Sequence, residues 1–78
     1  MTNTPPRPGF DSITDARYPA GASCQVLVDR PGKRPTWLRG TVVATWRQQM
    51  YGHTVVEAHV NSMGRTFRNC DPDCVRVA

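Results

Sequence analysis

Nine arginines and one lysine stand against six acids in a chain of 78 residues, and the arginines are interleaved with aromatic residues. A guanidinium is a permanent planar charge that grips phosphate or carboxylate through paired hydrogen bonds and stacks on aromatic rings. An exposed indole or phenol beside it offers a flat surface on which a nucleobase can stack. Trp37 and Arg39 alternate along one stretch, with Arg30, Lys33 and Arg34 just before them. Arg47 and Tyr51 follow, and Arg65 and Arg68 come later. These nine residues are the candidate contacts to DNA or RNA. The charge is unevenly placed. Residues 24–69 carry seven bases and two acids, residues 1–23 are neutral, and the stretch from Cys70 onward has one base and two acids.

The cysteines raise the question of metal. Cys70 and Cys74 are separated by three residues, and Cys24 approaches Cys74 if the first and last strands of the body pair. Zinc would still need a fourth ligand. His53 and His59 are six apart, roughly 20 Å along one strand, so only one of them could join. The expectation is therefore no metal and no cofactor, with Cys24, Cys70 and Cys74 behaving as small hydrophobes. Nucleophilic catalysis needs a base within hydrogen-bond reach of the nucleophile and a group that orients that base. His59 and Glu57 share a strand face, but no glycine-rich phosphate loop, zinc-protease motif or carboxylate pair in a cleft accompanies them. No catalytic site is expected.

The elements that must position these residues read as strands. Residues 1–22 hold four of the seven prolines and are expected to form a flexible or loosely docked N-terminal arm. Pro5 and Pro8 favour an extended polyproline segment there, Asp11–Ala16 a single helical turn, and Phe10, Ile13 and Tyr18 docking contacts. Residues 23–78 read as five short strands separated by turn residues. Val26 and Val28 share the inward face of the first. In the longest, Trp37 to Trp46, strict alternation places Leu38, Gly40, Val42, Ala44 and Trp46 inward. Trp37, Arg39, Thr41, Val43 and Thr45 then face outward. Gly40 lets that strand bend. Val56, Ala58 and Val60 follow inward, then Phe67, then Val75 and Val77. Gly64 suits a turn with positive φ, and Asp71-Pro72-Asp73 a tight or 3₁₀ turn.

Five strands, with the longest in second place and a tight turn before the last, resemble the SH3-like barrel. Trp37-Leu38-Arg39-Gly40-Thr41-Val42-Val43 is similar to the second strand of Tudor, KOW and related barrels. There an aromatic residue and a glycine precede a β-branched run. Asp71 to Val77 resembles their turn before the final strand. The resemblance spans about residues 22–78 and implies an all-β fold. The neutral arm, the Trp37–Trp46 strand and Tyr51 also resemble the plasmid-encoded type II dihydrofolate reductases. That family binds substrate and cofactor through a Val-Gln-Ile-Tyr strand. Thr66-Phe67-Arg68-Asn69 stands in its place and matches at no position, so the activity does not carry over.

The first reading is thus a non-enzymatic module that contacts nucleic acid, or an assembly containing it. A second reading is a protein-interaction or homo-oligomerisation module using Trp37, Val43 and Val55. No apolar run approaches the roughly 20 residues of a membrane span, and the N-terminus lacks a signal-peptide pattern. The expectation is a cytoplasmic protein with reduced cysteines and no membrane partner.

Overall fold

β-Branched residues dominate the stretches that alternate inward and outward, and these become strands. The computed structural model describes residues 7–78, so readings that depend on Met1–Pro6, including the Pro5–Pro8 segment, lie outside the described residues. Six strands form one antiparallel sheet: β1 (Phe10–Ile13), β2 (Ser23–Val28), β3 (Thr36–Gln48), β4 (Thr54–Val60), β5 (Arg65–Cys70) and β6 (Val75–Val77). Short 3₁₀ turns at Asn61–Met63 and Pro72–Cys74 complete the elements. The protein is all-β, as the sequence indicates. No helix among the described residues is long and apolar enough to cross a membrane.

The order across the sheet is β5-β4-β3-β2-β6, with β1 also paired to β3. One edge of β3 is shared by two partners. Its first half pairs with β2, from Val28↔Thr36 to Ser23↔Thr41. Its last residues pair with β1, from Ile13↔Thr45 to Phe10↔Gln48. Between them, the Gly21 amide donates to the Val42 carbonyl and the Val42 amide to the Ala22 carbonyl, at 2.8 and 2.9 Å.

Two features differ from expectation. There are six strands, not five, because residues 10–13 of the expected arm add a strand to the exposed edge of β3. The same residues are therefore extended where a helical turn was expected. The unpaired edge of β3 satisfies their backbone groups better than one isolated turn could.

The core gathers Val26 and Val28 of β2, Val42 of β3, Val56, Ala58 and Val60 of β4, and Val75 of β6, with Cys24, Cys70 and Tyr18. Val26, Val42, Val56 and Val60 are fully buried, each stabilising the fold by roughly 1.5–3 kcal/mol. Tyr18 ties the N-terminal segment to the far end of the chain, its hydroxyl donating to the Pro72 carbonyl at 3.2 Å. Gly40 faces β4 so closely that a Cβ there would overlap the His59 carbonyl oxygen. Gly64, at φ 58°, turns the chain from the first 3₁₀ turn into β5.

Two bulges decide which side chains face out. Val42 is opposite Ala58 but Ala44 is opposite Glu57, so Val43 is an extra residue. Strict alternation along β3 therefore fails past Val42. Thr45, expected outside, is 3% exposed, and it is opposite Val56. Trp46 is buried as expected, but on the outer side, opposite Val55. Nothing in the run Thr41–Thr45 distinguishes the two registers, because both parities carry residues suited to strands. The second bulge sets Arg68 and Asn69 together against Glu57, since Val56 pairs with Cys70 and Ala58 with Phe67.

Candidate functional site

The outer face of β2, β3 and β6 carries the best-developed arrangement of arginine and aromatic groups. Cross-strand register places Gln25 of β2 between Arg39 of β3 and Arg76 of β6. One step along, Trp37 is opposite Leu27. The Arg76 guanidinium carbon lies 3.8 Å from the centre of the Trp37 ring, well inside cation–π range. Its Nε donates to Gln25 Oε1 at 3.0 Å. Ser23, Gln25, Arg39, Arg76 and Val77 border an open depression of about 340 Å³. No acidic residue occupies β2, β6 or the paired first half of β3.

The β2–β3 loop joins the end of β2 to the start of β3, next to the Val28↔Thr36 and Leu27↔Trp37 pairs. Lys33 donates its amide to the Arg30 carbonyl at 3.1 Å, closing a turn around Pro31 and Gly32. Thr36 Oγ1 donates to the Arg34 carbonyl at 3.0 Å. Lys33 and Arg34 are exposed, and Arg30 is half-buried. The Arg30 Nε is buried without a hydrogen-bond partner. Asp29 is the one acid in the loop. Five of the nine sequence candidates, Arg30, Lys33, Arg34, Trp37 and Arg39, thus share one end of the sheet.

The other four stand elsewhere. Arg47 is opposite Thr54 and Asp11 at the far end of β3. Tyr51, 69% exposed, is edge-on to His53 at 6.0 Å. Arg65 lies over the Phe67 ring at 4.7 Å. Arg68 is exposed but partnered within the chain: its Nε is 3.9 Å from Glu57 Oε2, and its backbone carbonyl accepts from Arg7 at 3.1 Å. Trp37, Val43 and Val55 are likewise separated. Trp37 belongs to the β2 side of β3, Val43 is the bulge residue and Val55 is the neighbour of Trp46. Arg76 was not among the sequence candidates. The signal for it was the Val75-Arg76-Val77 alternation, which turns a lone arginine outward on a strand beside Gln25.

Trp46 has a different setting. Its Nε1 donates to Glu57 Oε1 at 2.8 Å. The Arg7 guanidinium lies 3.9 Å from the Phe10 ring centre and 5.7 Å from that of Trp46. It also donates to Asn69 Oδ1. Burial is the main influence lowering the Arg7 pKa, with the nearby Arg68 charge adding to it.

The three cysteines are unbridged, with Cys24 and Cys70 buried and Cys74 half-buried. Burial pushes the Cys70 thiol up to about 11, with a smaller push from Cys74 and Cys24. That is opposite to the shift that activates a nucleophilic thiol. His59 Nδ1 is within 3.0 Å of Thr66 Oγ1, while His53 lies in the β3–β4 connection. Among the described residues no group of three or more His, Cys, Asp or Glu is arranged to hold a metal ion.

No protein-family model, curated protein or solved structure matches the chain. The functional reading therefore rests on the geometry of the β2–β3–β6 face.

Proposed function

We propose that the protein is a small SH3-like barrel that binds nucleic acid, without catalysis, through the outer face of β2, β3 and β6 and the β2–β3 loop. The observation that carries this is the row Arg39–Gln25–Arg76 beside Trp37, with Arg30, Lys33 and Arg34 at the same end. A face with this many cations and one adjoining acid attracts a polyanion, and each neutralised phosphate releases condensed counterion. The strand order β5-β4-β3-β2-β6, with β3 common to both halves and a 3₁₀ turn before β6, supports the barrel. Three free thiols fit a reducing, cytoplasmic setting.

Fluorescence anisotropy of labelled oligonucleotides over a salt series tests the reading. Binding should weaken steeply with salt. Arg30→Ala/Lys33→Ala/Arg34→Ala should flatten the log–log slope by about 0.7–0.9 for each phosphate no longer neutralised. Folded protein that binds no nucleic acid at about 50 mM salt, where phosphate attraction is strong, would refute it.

A further inference from the structure

We infer that the Trp37–Arg76 stack and Gln25 form a base-stacking site for single-stranded nucleic acid, an inference that rests on the nucleic-acid reading above. In a duplex the flat faces of the bases are stacked on one another, and proteins reach only base edges and phosphates. A single strand offers base faces, and these stack on aromatic rings and on guanidinium planes. The β2–β3–β6 face holds both kinds of group against each other. The Arg76 guanidinium lies 3.8 Å above the Trp37 ring and is steadied by its 3.0 Å hydrogen bond to Gln25. Arg76 is itself exposed, so its outer surface is open to a base that would continue the pile.

Gln25 adds an edge contact. Its Oε1 is taken by Arg76, and its Nε2 group supplies two donors for a base acceptor. The depression of about 340 Å³ beside it gives that base room. Arg39 is on the opposite side of Gln25 from Arg76, two strand spacings or roughly 10 Å away. The two charges thus flank the base and meet the phosphates on either side of it. Charge complementarity selects a polyanion for this face, and the exposed stacking surface selects one with unpaired bases.

Three probes of equal length separate this inference from the reading beneath it: a single-stranded 12-mer, the corresponding duplex, and an abasic 12-mer with the same phosphates. Each is titrated at one salt concentration. The single strand should bind at least tenfold tighter than either of the others and should quench tryptophan emission. Trp37→Ala should remove about 5- to 150-fold of single-strand affinity and abolish the quenching, with the salt slope little changed. Arg76→Lys keeps the charge but not the planar fork, and should lose the single-strand margin too. If Trp37→Ala fails to fold, Trp37→Leu serves in its place. Duplex or abasic probes that bind as tightly as the single strand, unaffected by Trp37 or Arg76 substitution, would overturn the stacking site while leaving nucleic-acid binding intact. Failure of all three probes to bind would overturn both.

Discussion

Trp37 and Trp46 stand on the same strand and the same outer side of the sheet, yet one is open and the other is closed. They are nine positions apart, an odd spacing that would put them on opposite faces of a regular strand. The extra residue at Val43 brings both to the outside. Trp46 is then 2% exposed, opposite Ser12 of β1, with the Arg7 guanidinium 5.7 Å from its ring centre and its indole N–H donating to Glu57. Trp37 is half-buried, with Arg76 over its ring. The difference lies in what runs alongside. β1 brings its own cover to the second half of β3, whereas β2 presents Leu27 and Gln25 to the first half and leaves the indole accessible. Of two similar aromatic–arginine contacts, the one on Trp46 is enclosed by the fold and the one on Trp37 stands at the surface, where the proposed ligand would meet it.

The strongest way to break this comparison is to delete each indole. Trp46→Ala should destabilise the protein by about 3–5 kcal/mol, the range for removing a buried tryptophan. It would also leave Glu57 without its indole donor. Trp37→Ala should cost about 1 kcal/mol, because Leu27 and Arg76 would no longer pack on the indole. Urea unfolding of the two variants measures both. Equal losses would mean that Trp37 is as structural as Trp46, and the β2–β3–β6 face would no longer be free for a ligand.

Gly40 joins the two halves of β3. A methyl group there meets the His59 backbone, which cannot swing away as a side chain would. Gly40→Ala should cost about 1–3 kcal/mol and should perturb the emission of both tryptophans together. A change confined to one of them would show that the halves are positioned independently.

Much of this architecture was legible. Val56, Ala58 and Val60 alternate with Glu57 and His59, and Val26 and Val28 are flanked by Gln25 and Asp29 with Leu27 between them, so their shared face could be read directly. Gly64 and the Asp71-Pro72-Asp73 turn announced themselves by residue type. β1 did not, because Phe10-Asp11-Ser12-Ile13 follows a proline-rich stretch and is held as a strand by the edge of β3. The Val43 bulge was hidden in a run of small strand-forming residues. Among the candidate residues, the closeness of the loop cations to Trp37 and Arg39 in the chain could be read from their spacing. The pairing of Arg68 with Glu57 could not, since it depends on a second bulge that aligns Arg68 and Asn69 with Glu57 on the neighbouring strand.

The bulge can be tested through two threonines of equal parity in the sequence. Thr45 is buried opposite Val56 and Thr41 is half-buried opposite His59. Thr45→Val should therefore be tolerated or mildly stabilising, whereas Thr45→Asp should cost about 2–3 kcal/mol because it buries a charge with no partner. Thr41→Asp should change stability by less than about 1 kcal/mol. If the two aspartate variants melt together, β3 runs without the bulge and Trp46 returns to the core side.

The smallest effects distinguish the two arginines that cover the tryptophans. Arg7→Ala removes the hydrogen bonds to the Arg68 carbonyl and Asn69 as well as the contacts with Phe10 and Trp46. It should cost about 1–2 kcal/mol. Arg76→Ala removes one exposed hydrogen bond and one ring contact, and should cost about 0.5 kcal/mol. Acrylamide quenching in single-tryptophan backgrounds supplies the second readout. With Trp37→Phe, only Trp46 emits, and Arg7→Ala should raise its accessibility. With Trp46→Phe, only Trp37 emits; it should already be accessible, and Arg76→Ala should raise this further with little change in melting. A cover that belongs to the fold resists removal, and its deletion loosens the molecule. A cover that a ligand can stack on comes away almost free of effect on stability. If Arg76→Ala destabilises as much as Arg7→Ala, the Trp37 stack is a structural clasp, and the base-stacking site loses its physical basis.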